Sequence, residues 1–192
     1  MNHLKIFYYL FVIVSLGGIC VCCISGNKNE TKAKSDTISS SLNSNLDYNQ
    51  IGNQLLQNET IGDLKIGLSI DKTLELLGES NEKTKLELWG ADGEYHHTMI
   101  YHDKGIEIDI VGENGTKQKI GMISITEPCL FKTKENIGIG SGIYAVKTAY
   151  KGLINPEFSD SNSIVVGSIY GGLILKMEND KVKKIIVGAV AE

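Results

Sequence analysis

A stretch from Lys65 to Gly78 recurs in altered form from Gly138 to Gly152. The first copy reads Ile66-Gly67-Leu68-Ser69-Ile70, then Thr73, Leu76, Leu77 and Gly78. The second reads Ile139-Gly140-Ser141-Gly142-Ile143, then Val146, Ala149, Tyr150 and Gly152. In each, an Ile-Gly step leads into apolar residues at helical spacing, and a glycine closes the run. One local element used twice implies one architecture used twice.

The sequence after each copy extends the parallel. In the first half, Ser69 is an N-cap with Asp71 in the first turn, and Ile70, Thr73, Leu74 and Leu77 fall on one helical face. Four strands follow: Lys85 to Trp89, Tyr95 to Tyr101, the alternating Ile106, Ile108 and Ile110, and Ile120 to Ile125. Turns separate them at Asp92-Gly93, His102–Gly105 and Glu113-Asn114-Gly115. In the second half, Ser141 or Gly142 caps a helix whose face is Ile143, Val146, Ala149 and Tyr150. Strands are expected at Ser163 to Tyr170, Leu173 to Met177 and Val182 to Val187, with turns at Gly171-Gly172 and Glu178-Asn179-Asp180. Ile120, Ile123 and Ile125 match Val182, Ile185 and Val187, and Ile100-Tyr101 matches Ile169-Tyr170. The expected class is α+β: two tandem helix-plus-antiparallel-meander repeats, with one joined, curved sheet as an option. Repeat 1 spans 51–128 and repeat 2 spans 129–192. Ile51 to Asn58 reads equally as a short helix or a strand.

The N-terminus speaks to location. Ile6 to Ile24 is wholly uncharged, long for a secretory core and just long enough for a membrane span. Residues 1–26 are therefore expected to be a signal, lipoprotein-like or membrane-anchor segment. Leu16-Gly17-Gly18-Ile19-Cys20 resembles a lipobox with Cys20 as the lipidated residue, although Ile19 stands where Gly or Ala belongs. Residues 27–50 are rich in Asn, Ser, Lys and Thr and too polar to offset chain entropy, the composition of a tether. The chain is expected to be bacterial, membrane-anchored and extracytoplasmic.

Several function classes are disfavoured. A net charge of −4 gives no electrostatic case for nucleic acid. All 19 basic residues are lysine, so no bidentate arginine clamp exists. Of four cysteines only Cys129 lies in the body, which excludes an internal disulfide there and any paired zinc motif. Gly138-Ile139-Gly140-Ser141-Gly142 lacks Walker spacing and its lysine, and it is not a nucleophile elbow. It reads as a tight linking turn and cap. No cofactor, no metal set and no catalytic set is expected.

The remaining candidates gather near one hairpin. Trp89 and Tyr95 flank Asp92-Gly93 and suit an exposed recognition surface. Tyr101, Tyr150 and Tyr170 are expected in the core. His96, His97 and His102 form the best polar group. If the strand runs on, Glu94, His96 and His102 face one side, with Tyr95, His97 and Asp103 on the other. His96 and His102 then stand too far apart to share an ion without help from another strand.

The segments IGLS…LLGE, GIGSG…VKTAYKG and KKIIVGAVAE together resemble the β-lactamase-inhibitor-protein-like superfamily. The single unit is similar to the small outer-membrane assembly lipoprotein family. The likeness covers roughly Ile61 to Glu192 and departs at Glu79, where a proline is common. It implies tandem units that bind proteins and carry out no chemistry. The resulting expectation is a membrane-tethered, non-enzymatic module for an unknown protein partner, inhibitor-like or envelope-associated, with Trp89, Tyr95, His96, His97 and His102 as binding residues. The alternative is an envelope enzyme or metal-binding protein built on His96, His97 and His102.

Overall fold

The computed structural model describes residues 46–113 and 117–190. Asn43–Glu192 forms one compact unit. Cys20, the anchor segment, most of the tether and the centre of the Glu113–Gly115 turn lie outside the described residues. Among the described residues no helix is long and apolar enough to cross a membrane.

The fold is α+β and mostly sheet. Among the described residues three helices, α1 (Tyr48–Asn58), α2 (Ile70–Leu77) and α3 (Ile143–Ala149), accompany eight strands. The strands are β1 (Glu82–Lys83), β2 (Glu87–Leu88), β3 (Tyr95–Tyr101), β4 (Ile106–Gly112), β5 (Lys119–Thr126), β6 (Ser163–Ser168), β7 (Gly171–Glu178) and β8 (Lys181–Gly188). They form one antiparallel sheet in the order β1-β3-β4-β5-β8-β7-β6, with β2 also on the outer edge of β3. Strands β3 to β5 and β6 to β8 are two meanders, joined where β5 pairs antiparallel with β8 over Ile123–Val187 to Thr126–Lys184.

Period-two alternation separates the two faces. Met99 and Tyr101, Ile106, Ile108 and Ile110, Ile120, Ile123 and Ile125, Val182, Ile185 and Val187, and Leu173, Leu175, Ile164 and Val166 all enter one buried cluster. All three helices pack on it: Leu55 and Leu56 from α1, Ile70, Leu74 and Leu77 from α2, Ile143, Val146 and Ala149 from α3. Each fully buried aliphatic side chain contributes about 1.5–3 kcal/mol relative to exposure, so this cluster dominates stability.

Helix starts follow local chemistry. Ser69 Oγ accepts the Lys72 N–H, as expected of the N-cap. Ser141 does not cap α3. Its Oγ accepts the Gly138 N–H, and Gly142 takes the cap position without a side-chain bond. Gly78 ends α2 at φ 77 and ψ −169, a conformation essentially restricted to glycine rather than the left-handed helical one expected. The Tyr101 hydroxyl donates to the Gly78 carbonyl at 3.0 Å, pinning the helix exit to β3. In the other half a buried carboxylate does the pinning. Glu59 Oε1 accepts the N–H of Thr60 (2.9 Å) and of Lys134 (2.7 Å), and Tyr150 reaches Glu59 Oε2 at 3.3 Å and Thr133 Oγ1 at 2.8 Å.

Several expectations change. The helix α1 resolves the ambiguity at Ile51 to Asn58, and it begins at Tyr48, inside the stretch assigned to the tether. Asp47 supplies the reason, because its Oδ1 accepts the N–H groups of Asn49 and Gln50. The strand expected over Lys85 to Trp89 shrinks to Glu87–Leu88, because the pairing with β3 is interrupted after Lys83, where the Thr98 N–H donates to Thr84 Oγ1 at 2.8 Å, and resumes only at Glu87. Gly171 and Gly172 are strand residues rather than a turn: Ser168 pairs with Gly171 and Gly167 with Gly172. The turn falls on Ile169-Tyr170, which leaves Tyr170 60% exposed instead of in the core. These glycines answer a close approach rather than a turn. Gly167 sits at φ +82 with its missing Cβ 2.6 Å from Gly52 Cα, and a Cβ on Gly52 would meet the Gly171 carbonyl oxygen at 1.8 Å. The backbone of α1 thus lies directly on β6 and β7.

Gly52→Ala tests that contact. Alanine gains about 1 kcal/mol in helix propensity, but the overlap costs more. We expect a net loss of about 2 kcal/mol in urea unfolding, while Gln50→Ala, on the exposed side of α1, changes stability by less than about 0.5 kcal/mol.

Candidate functional site

Strand β3 carries the histidine pair. Adjacent residues of a strand point to opposite faces, so His96 and His97 cannot act together from one backbone. His97 faces the helices, opposite Ile110 in register, and is 2% exposed. Neither of its ring nitrogens has a hydrogen-bond partner among the described residues. Burial, helped by the charge on Lys83, lowers its pKa to about 4, so the ring is neutral near pH 7.

His96 faces the opposite side and is also buried. Its Nδ1 lies 2.9 Å from Asp109 Oδ2, and its Nε2 lies 2.9 Å from Asp92 Oδ2. Register explains the first contact: Asp109 of β4 stands opposite Thr98, diagonal to His96 on the same face. The hairpin loop explains the second. Trp89 N–H donates to the Glu94 carbonyl at 2.9 Å, and Gly93 N–H donates to the Trp89 carbonyl at 3.0 Å. Asp92 Oδ1 accepts the Glu94 N–H at 3.0 Å, which turns Oδ2 toward the imidazole. The Trp89 ring then stacks on His96, with centroids 3.8 Å apart and planes 6° from parallel.

The electrostatics follow from this enclosure. Burial pulls the His96 pKa down, but the hydrogen bonds and charges of Asp92 and Asp109 together carry it above its ordinary value. Burial holds the Asp109 carboxyl up, opposed by His96. The Glu94 N–H, then His96, hold Asp92 down. A recess of about 300 Å³ adjoins the group, lined by Thr84, Lys85, Glu87, Trp89, Thr98 and Asp109 beside the two histidines.

Of the five residues expected to bind, only Trp89 and His96 come together. Tyr95 is half-buried, and His97 is enclosed on the other face. His102 is not on the strand at all, because β3 ends at Tyr101 and His102 opens the turn. It is exposed, with Nε2 3.4 Å from Glu82 Oε2. Among the described residues no three His, Cys, Asp or Glu groups are placed to hold a metal. The Asp109–His96 couple resembles a base oriented by a carboxylate, but Nε2 meets Asp92 rather than a hydroxyl or thiol. The sequence reading missed Asp92 and Asp109 as members of the site. Asp92 read as a turn former, and Asp109 read as the polar half of an alternating strand. Strand register alone puts Asp109 beside His96. Cys129 is buried with its thiol pKa raised, chiefly by burial.

Comparison with known proteins finds no matching family model, no matching curated protein and no matching solved structure.

The buried, neutral His97 fixes one sign of pH dependence. Its folded pKa lies below the unfolded value, so the unfolded chain binds the proton first and stability falls as pH drops from 6.5 toward 4. Substituting His97→Leu is expected to flatten that part of the curve. Urea midpoints measured from pH 7 to pH 4 check it.

Proposed function

We propose that this chain is a membrane-tethered, extracytoplasmic module that binds a protein partner. The observation that carries this reading is the sheet face turned away from the helices. It mixes Thr98, Ile100, Val111, Met122, Lys184 and Ile186, all half-buried, with exposed Glu107 and Lys176. Apolar patches interleaved with charge, bordered by an aromatic, have the make-up of a protein-binding surface. At the β3 edge Leu86, Leu88 and Trp89 stay exposed at 39%, 60% and 40%, which extends the apolar area past the last full strand. The uncharged run Ile6 to Ile24 and the polar stretch after it supply the tether.

The same reading holds that the body arose from two copies of one helix-plus-meander unit. Matching backbone bonds support it. Gly67 N–H donates to Ile120 O and Gly140 N–H to Val182 O, both at 2.8 Å. Ile70 N–H donates to Gln118 O, as Ile143 N–H does to Asp180 O. Isolated bridges pair Ser69 with Lys119 and Gly142 with Lys181. Each Ile-Gly step therefore meets the opening residues of its own third strand in the same way. The likeness to the β-lactamase-inhibitor-protein-like superfamily belongs to this proposal as its architectural parallel.

A photo-crosslinking residue at Met122, compared with one at Lys147 on exposed α3, tests the face in intact cells. We expect a discrete protein adduct from Met122 and none from Lys147, weakened at least roughly tenfold by Trp89→Ala. Equal adducts from both positions, or none from Met122, would sink the proposed face. Recovery of the full chain in the aqueous rather than the membrane fraction would sink the tether.

A further inference from the structure

The hydrogen bonds around His96 impose a proton count. Both ring nitrogens face carboxylate oxygens at 2.9 Å, and carboxylate oxygens only accept. One neutral imidazole has a single N–H and cannot serve both. The arrangement therefore needs one further proton, on the ring or on Asp109. Losing that proton to solvent turns one of the two contacts into a lone pair facing an anion. Of the two carboxylates, the Asp109 side chain belongs to the sheet and is 10% exposed, whereas the Asp92 side chain is 47% exposed in a hairpin loop. The loop is the partner free to leave, and Trp89, whose backbone is bonded to Gly93 and Glu94 of the same hairpin, leaves with it.

We infer that His96, Asp92 and Asp109 form a proton-held clasp that seats the Trp89 hairpin loop on the sheet and releases it on deprotonation. The surrounding charges favour the protonated form. On the edge side Glu87 stands opposite His96 in register, with Lys85 beside it along the recess. The loop adds Asp92 and Glu94. On the same face β4 offers Asp109 and Glu107, and Lys119 of β5 lies beyond Val111. Acidic groups outnumber basic ones around the ring, and the raised pKa of His96 has the matching sign. Sign and window follow. The stabilisation is complete below the unfolded value of 6.5 and is lost as pH rises through the higher folded value. The clasp thus opens toward alkaline pH, opposite in sense to His97. Release would bare the His96 side of the recess and free Trp89 at the margin of the sheet face turned away from the helices. This inference stands independently of what that face binds.

Trp89 is the single tryptophan of the chain, so intrinsic fluorescence reports the stack directly. The full-length protein in mild detergent is titrated from pH 5 to 9.5. We expect one fluorescence transition with its midpoint above pH 6.5, emission rising as the quenching imidazolium loses its proton. Asp92→Asn, a change in an exposed turn, should lower the midpoint by about one pH unit while far-UV circular dichroism stays unchanged. His96→Gln should abolish the transition, and His102→Gln should leave it in place. A flat titration of the wild-type protein, a transition that survives His96→Gln, a transition lost in His102→Gln, or a midpoint unmoved by Asp92→Asn each overturns the clasp.

Discussion

The antiparallel junction of β5 and β8 is the constraint on which the rest of the molecule rests. Each three-stranded meander alone would expose two strand edges and bury little apolar area. Pairing their third strands removes two edges at once and lays Ile123 and Ile125 beside Val187 and Ile185 in the middle of the sheet. That gives all three helices one continuous apolar surface to cover. The outer edges are handled differently. Backbone bonds from Asn155 to Val165 and from Gly167 to Leu153 cover β6, whereas β3 is met by the short, exposed β1 and β2 and by single backbone bonds from Asn81 and Thr84. The site sits at that weakly covered edge, where a loop can be held or released without disturbing the core.

Neighbouring histidines on one strand illustrate how period two divides function. His97 enters the apolar side, finds no hydrogen-bond partner among the described residues and gives up its charge. One residue earlier, His96 enters the polar side between two carboxylates, which favour its charged form. The two rings respond to pH with opposite signs, although they share a peptide bond. The mixed face therefore accommodates a buried charge that the helical face would reject, because only the mixed face brings acidic groups from a second strand and a loop.

Local patterns in the sequence carried much of this architecture. The Ile-Gly steps, Ser69, the alternating isoleucines of β4 and the Asp92-Gly93 turn each act over a few residues, so composition and spacing revealed them. The same locality explains the errors. Gly171-Gly172 has the composition of a turn, but the helix lying against it is more than a hundred residues away in the chain. Tyr170 aligns with Tyr101 by spacing, yet one closes a hairpin in solvent and the other is wholly buried. Lys85 to Trp89 alternates like a strand but lies on an edge where the pairing with β3 is interrupted between Lys83 and Glu87.

The amino-acid order by itself determined the two short helices with their entry glycines, the strand-rich class and the hairpin that presents Trp89. These depend on φ/ψ preference, capping and hydrophobic period, which are properties of neighbours in the chain. Only the tertiary structure decided that α1 lies on β6 and β7, that β5 meets β8, and that Asp109 and Asp92 close on His96. Those outcomes depend on strand register and on backbone approach between distant segments, and a shift of one residue in register would have sent each of these side chains to the other face.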